Sequence, residues 1–146
     1  MEVVVQNRQK NRRASPKKAK QMAERILSDL GCHDGELSIV LLDDDDIQHL
    51  NRDHLSRDYP TNVLAFPMGD GPLLGDVVIS TETAQREANE SGITLEEDLG
   101  ILLVHGILHL LGYDHEGVPE EATRMESKEQ EILVRLGFGG TGLVGK

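Results

Sequence analysis

Three histidines, His105, His109 and His115, are the residues with the clearest potential for chemistry, because they fall close together in one segment. His105 and His109 are four residues apart, so on a helix both imidazoles lie on one face and can reach a single ion. Gly112 can adopt the left-handed backbone that ends a helix, which would turn the chain back and bring His115 to the same ion. Three imidazoles with an open fourth position are typical of a catalytic zinc-type site.

The helix that carries the first two histidines is predicted to begin after Thr94, because Thr94 and Glu97 have the spacing of a capping box. Its middle is apolar on nearly every side, which predicts burial on most faces and places His105 and His109 in water-poor surroundings. Gly106 costs about 1 kcal/mol in a helix interior, so we expect that a close approach of backbone or substrate requires it.

Periodicity and turn residues predict short strands that alternate with helices. Strands are expected at residues 3–6, 37–42, 63–66 and 76–79, and helices at residues 16–30, 45–54, 81–91, 95–111 and 119–136. The loop at residues 67–75, with three glycines and two prolines, suggests a hairpin-like return or an active-site flap. The predicted fold class is α+β, a small, mostly mixed sheet covered by helices, with a zincin-like histidine helix followed by a turn.

Length and composition predict one domain in a reducing compartment. Residues 1–137 are expected to form a single metallohydrolase domain, and the glycine-rich residues 138–146 a disordered tail. The single cysteine, Cys32, cannot form an intramolecular disulfide. The N-terminus lacks an export signal, and the longest nearly apolar segment, residues 99–111, is too short to span a bilayer. We therefore expect a cytoplasmic protein without membrane insertion.

The formal net charge of −11 is unevenly distributed along the chain. Residues 1–25 carry eight basic and two acidic side chains, a balance of +6, which leaves −17 for the rest. The overall charge disfavours a general nucleic-acid-binding protein, but the N-terminal cluster could be a local patch for phosphates or simply a solvated helix face. The sequence has neither a phosphate-binding glycine loop nor a dinucleotide fingerprint, so no nucleotide cofactor is implied.

The histidine spacing is also that of metzincin proteases, but a key residue differs. In those enzymes a glutamate directly after the first histidine is the general base, and here this position is Gly106. Peptide hydrolysis is therefore disfavoured. Met125 could imitate the methionine that lies under a metzincin metal, but its helical spacing favours core packing.

A second resemblance is more specific and covers most of the chain. The pattern His-Gly-x-Leu-His-Leu-x-Gly-Tyr-Asp-His, at residues 105–115, resembles at every fixed position the signature of the YbeY family of bacterial metal-dependent endoribonucleases. Residues 50–51 with 58–67, and residues 74–80, are similar to the other two blocks that characterise this family. The resemblance extends from about residue 37 to residue 136.

The resemblance implies one zinc-type divalent ion, held by His105, His109 and His115, and endonucleolytic cleavage of single-stranded RNA. It also implies ribosomal RNA maturation at the 3′ end of the small-subunit RNA and ribosome quality control, with the ribosome or its associated proteins as partners. The ion would make hydroxide available near neutral pH and polarise a phosphoryl oxygen. Whether hydroxide attacks phosphorus or deprotonates the ribose 2′-OH stays open.

Two further residues are candidates for roles beside the ion. Many YbeY members have an arginine that faces the substrate where this chain has Leu55, and Arg57, two residues on, could replace it. The alternative for Arg57 is a solvent-exposed loop residue. Asp114, beside His115, could accept a hydrogen bond from a ligand imidazole, or it could stabilise the turn.

Three functions from different classes remain compatible with the sequence. The first is a metal-dependent endoribonuclease, and the second is a metallohydrolase of a different substrate class, acting on a peptide or small ester. The third is a non-catalytic, metal-containing ribosome-assembly factor, which the acidic composition weakly favours. With two Phe, two Tyr and no Trp, we expect little recognition of RNA by stacking.

Overall fold

The computed structural model describes residues 1–69, 71–113 and 118–138 of the chain. All predicted strands and helices are present, with ends that differ from the predicted ones by at most three residues. In chain order they are β1 (Glu2–Asn7), α1 (Pro16–Asp29), β2 (Glu36–Leu42), α2 (Asp44–Leu55), β3 (Val63–Pro67), β4 (Leu73–Ser80), α3 (Thr81–Ser91), α4 (Leu95–Leu110) and α5 (Pro119–Arg135).

A mixed four-stranded sheet in the order β1-β2-β4-β3 lies at the centre of the fold. Strands β1, β2 and β4 are parallel, whereas β3 is antiparallel to β4, with Val63 opposite Ile79 and Pro67 opposite Gly75. The segment between β3 and β4 therefore closes a hairpin, which is one of the two predicted alternatives. The predicted α+β class with a mixed sheet is confirmed.

The two faces of the sheet are covered by different helices, because apolar side chains occur on both faces of the central strands. On one face, the odd-numbered residues of β2 and β4 pack with α1, α4 and α5 in the main core. On the other face a smaller cluster packs beneath α2. The smaller cluster consists of Leu42, Ile47, Leu64 and Val78.

Helix α4 passes through the main core and packs against β3 and β4. Its N-terminus is fixed by Thr94, whose Oγ1 accepts a hydrogen bond from the backbone N–H of Glu97 at 3.1 Å. Within the described residues the Glu97 carboxylate does not return a bond to Thr94, and Glu97 Oε2 has no hydrogen-bond partner, so only half of the predicted capping box forms. Among the helices that the structure describes, none is long and apolar enough to cross a bilayer.

A Schellman motif ends α4 at the predicted turn. Gly112 has a φ of 97°, and its N–H donates to the carbonyl oxygen of His109 at 3.0 Å. The N–H of Tyr113 donates to the carbonyl oxygen of Leu108, also at 3.0 Å. These two bonds satisfy carbonyls that the helix end leaves without partners and form a turn at Gly112, three residues after the second histidine.

The last described residue, Phe138, packs on α4 although the sequence analysis assigned it to a disordered tail. The Phe138 ring contacts the main core, and a Cβ built on Gly100 would lie 2.6 Å from Phe138 Cε2. The packed chain therefore continues one residue beyond the predicted domain end at Gly137. Residues 139–146 lie outside the described residues, and the assignment of residues 1–137 to one domain stays a prediction.

A buried carboxyl group lies in the first turn of α4. Asp98 is 6% exposed. Burial raises the pKa of Asp98 to about 7, and the charge of Glu87, a hydrogen bond with Glu87 and the charge of Glu97 act in the same direction. Glu87 also accepts a hydrogen bond from Asn62 Nδ2 at 3.0 Å. The contact between Asp98 and Glu87 therefore joins α4 to α3 close to the start of β3.

We expect this group to make the free energy of unfolding fall as the pH rises from about 4 to about 7. In that range the folded protein keeps a proton on Asp98, whereas the unfolded chain, with a pKa near 3.8, has released it. The difference between the two pKa values limits the effect to about 4 kcal/mol. Urea unfolding at several pH values should show a shallower pH dependence for Asp98→Asn than for the wild type. Asp53→Asn, at an exposed position, is the control, and identical slopes for all three proteins would contradict this prediction.

Candidate functional site

His105 and His109 lie one turn apart on the same face of α4, near its C-terminal end. Their Nε2 atoms are 3.1 Å apart, and the two rings are nearly perpendicular, with an interplanar angle of 78°. Two imidazole nitrogens on one tetrahedral zinc ion, each at about 2.0–2.1 Å from it, would be about 3.3 Å apart. The pair therefore has nearly the spacing of two ligands on a single ion, and its donor type suits zinc.

The predicted third ligand, His115, and its neighbour Asp114 lie outside the described residues. Among the described residues, no group of three or more His, Cys, Asp or Glu side chains is placed to hold a metal ion. The turn at Gly112 that should bring the chain back is present. The complete set of three ligands therefore stays a prediction.

A carboxylate that the sequence analysis missed contacts the first histidine. Glu129 Oε2 of α5 lies 2.9 Å from His105 Nδ1. The side chains of His105 and Glu129 are 27% and 21% exposed, so the histidine is less enclosed than predicted. Met125 and Ile132, four residues before Glu129 and three after it, are fully buried in the main core, which confirms core packing for Met125. An acidic residue on the inner face of an amphipathic helix is the signal that could have identified Glu129.

The histidine pair forms part of the wall of a cavity of about 350 Å³. Gly106 lies between the two histidines, and β3 and the segment that precedes it supply most of the remaining lining. Tyr59, which is 54% exposed, and Thr61 belong to this segment. The cavity thus combines two metal-type ligands with aromatic and polar groups and is open to solvent.

Arg57 lines the same cavity as the histidine pair. It is exposed, and its guanidinium forms no hydrogen bond or ion pair with any residue that the structure describes. Leu55, at the position where the related family has arginine, is 46% exposed and also lines the cavity. The chain therefore places a cationic side chain next to the histidines, two residues after that position.

A buried asparagine holds the segment that carries Arg57. Asn51 is 1% exposed, and its Nδ2 donates to the carbonyl oxygen of Tyr59 at 3.0 Å. The carbonyl oxygen of Asn51 accepts a bond from the N–H of Arg57 at 3.2 Å. Ser56 makes the turn between them in the left-handed conformation, with a φ of 58°. The backbone of residues 56–59 is thereby tied to the end of α2.

Gly106 lies where α4 packs against the sheet. A Cβ built on this residue would be 2.8 Å from Val77 Cγ1 and 3.5 Å from Val63 Cγ2. The side chains of β4 and β3 lie where a Cβ of Gly106 would be, and Gly106 also lines the cavity beside the two histidines. A glycine is needed here so that the histidine helix can lie close to the sheet.

Known proteins resemble this chain over nearly its whole length. The family model described as Endoribonuclease YbeY matches residues 4–137. A protein named Endoribonuclease YbeY from Syntrophotalea carbinolica is 49% identical, covering 90% of this chain and 93% of its own. One of the same name from Geobacter sulfurreducens is 48% identical, covering 96% and 99%. The solution structure of a Thermotoga maritima protein matches the fold with a TM-score of 0.68 at 25% identity, covering 99% of both chains.

Gly106→Ala should destabilise the protein by about 1 to 3 kcal/mol, because the new methyl group meets a fully buried valine. The higher helix propensity of alanine, about 1 kcal/mol, should offset only part of this loss. The contact is tested by measuring the free energy of unfolding in urea for Gly106→Ala, Val77→Ala and the double variant. Shortening Val77 removes the atom that the new methyl group meets. A double variant destabilised by the full sum of the two single changes would argue against it.

Proposed function

Because the chain belongs to the Endoribonuclease YbeY family, we propose that it cleaves single-stranded RNA by hydrolysis, with one zinc-type divalent ion held by His105, His109 and His115. The substrate that we propose is ribosomal RNA, cleaved at the 3′ end of the small-subunit RNA during maturation and in ribosome quality control. The observation that carries the proposal is the 3.1 Å separation of the two Nε2 atoms in the wall of an open cavity.

The described residues support a metal-dependent hydrolysis. A bound zinc-type ion would supply a water molecule of lowered pKa and would polarise a phosphoryl oxygen. The Nε2 atoms of His105 and His109 lie close enough to bind one ion. The residue that follows His105 on α4 is Gly106, so no carboxylate lies at that position. The cavity, at about 350 Å³, is within the range of pockets that take small ligands, so it has room for a nucleotide-sized group.

The remaining lining of the cavity suits binding of RNA. Arg57 can donate charge-assisted hydrogen bonds to a phosphate, and such a local cation matters because a net charge of −11 repels RNA. Tyr59, exposed at the cavity, offers a ring on which a base can stack. We assign Arg57 to phosphate binding and Tyr59 to the stacking of one base, which agrees with the expectation that stacking contributes little to RNA recognition.

The acidic composition supports delivery to RNA by a partner. A nuclease that searched for free RNA alone would gain from a basic surface, whereas this chain has a net negative charge of −11. We propose that the protein acts in the cytoplasm on the ribosome, or with ribosome-associated proteins, which bring the RNA to the cavity.

The central test is cleavage of single-stranded RNA by the purified protein. We expect a chelator to stop cleavage and added zinc to restore it, and we expect His109→Ala and His115→Ala to reduce the rate to background. Mass spectrometry should find less metal in both variants than in the wild type, because each loses one ligand. His49→Ala, at an exposed position on α2, is the control.

Several outcomes would contradict the proposal. Full cleavage by His109→Ala, purified in the same way, would indicate a contaminating nuclease. Equal metal content in the wild type and His115→Ala would exclude His115 as a ligand. Metal binding without any RNA cleavage would favour a non-catalytic assembly factor, and cleavage of casein or a small ester instead of RNA would favour a different metallohydrolase.

Arg57→Gln should raise KM for RNA by about tenfold or more, because a hydrogen bond to a charged group contributes about 1.5–3 kcal/mol. The metal content should not change, since Arg57 lines the cavity without contacting either histidine ring among the described contacts. Initial rates at several RNA concentrations measure the effect. Arg52→Gln, an exposed arginine on α2 that pairs with Asp53, is the matched control. Equal KM values for both variants would exclude a substrate-binding role for Arg57.

A further inference from the structure

The contact between Glu129 and His105 joins α5 to the histidine helix. Glu129 Oε2 lies 2.9 Å from His105 Nδ1, and the other ring nitrogen, Nε2, faces His109 Nε2 at 3.1 Å. A carboxylate oxygen accepts a hydrogen bond, so Nδ1 is the donor in this contact. A neutral imidazole with its proton on Nδ1 presents a lone pair at Nε2. The carboxylate therefore favours the tautomer whose Nε2 can act as a ligand.

The position of Glu129 on α5 is fixed by core packing. Met125 and Ile132, on the same side of the helix, are fully buried. A carboxylate between two such residues is costly unless a hydrogen-bond donor meets it, and His105 is that donor. The neighbouring cation, Lys128, pairs with Glu131 at 2.8 Å instead. Glu129 thus points toward the histidine helix rather than pairing with Lys128, its neighbour in the chain.

We propose that Glu129 is the positioning residue of His105: it holds the proton on Nδ1, fixes the ring and aims Nε2 at the ion. This inference rests on the proposed function, because it takes His105 to be a metal ligand. A carboxylate that accepts the second N–H of a ligand imidazole also makes that ligand more basic. Asp114 was the candidate for such a role in the sequence, whereas the described contact is made by a residue of α5.

The first test reads the tautomer and needs no metal. In the metal-free wild type, at a pH where His105 is neutral, nitrogen NMR of the ring should show the proton on Nδ1. Glu129→Leu, which replaces the carboxylate with an apolar side chain of similar size between Met125 and Ile132, should lose this preference. Glu126→Gln, at an exposed position on the same helix, should keep it.

The second test measures the affinity for zinc by competition with a chromophoric chelator. Glu129→Leu should bind zinc about 10- to 100-fold more weakly than the wild type, and Glu126→Gln should bind it equally well. The absorption spectrum of the cobalt-substituted proteins should also change only in Glu129→Leu, since it reports the geometry of the ligands. Urea unfolding of the metal-free variants shows whether the fold is retained.

The outcomes separate this inference from the proposed function. If the wild type binds zinc and cleaves RNA through His109, but Glu129→Leu keeps the same tautomer and the same zinc affinity, the positioning role is excluded and the nuclease proposal stands. If the wild type binds no zinc, the metal site itself fails, and the positioning role fails with it. A proton on Nε2 of His105 in the wild type would overturn the inference directly. If Glu129→Leu does not fold, Glu129→Met, which also lacks a carbonyl or carboxylate acceptor, is measured in its place, where a shift of the proton or a loss of zinc affinity supports the role and their absence excludes it.

Discussion

The close packing of α4 against its neighbours is the constraint on which the rest of the structure depends. This helix is covered by the sheet on one side, where Gly106 meets Val77, and by Phe138 on another side, where Gly100 leaves room for the ring. A helix held at such short distances on two sides cannot slide or rotate without a clash. The two histidines therefore have a fixed position relative to β3. The packing of the core thus shapes the cavity that the histidines and β3 line.

The chain was most predictable where local chemistry decides the structure. Thr94 begins α4 and Gly112 ends it as predicted, because a side chain that caps a helix and a glycine that turns it act on adjacent backbone. The prediction of a small sheet covered by helices followed from the alternation of strands and helices along the chain. The histidine spacing placed two imidazoles on one face of a helix, and the structure describes them at the distance that one ion would need.

The features that sequence reasoning missed depend on residues that are distant in the chain. Glu129 is 24 residues from His105, and the pairing of α4 with α5 brings them together. The partner of Gly106 is Val77 on β4, which only the tertiary packing reveals. The pKa of Asp98 is raised by its burial and then by Glu87 of another helix, and both depend on tertiary packing. Arg57 could be proposed from the family resemblance, which expects an arginine near this point of the chain, but its position depends on Asn51 and the turn at Ser56.

The contact between His105 and α5 can form only after α5 has been synthesised. Residues 119–135 leave the ribosome after every other helix and strand that the structure describes. Until these residues have been synthesised, the carboxylate that meets His105 Nδ1 is missing. The hydrogen-bonded histidine is thus completed only once residues 119–135 have been synthesised, so a nascent chain truncated before them would lack this part of the site.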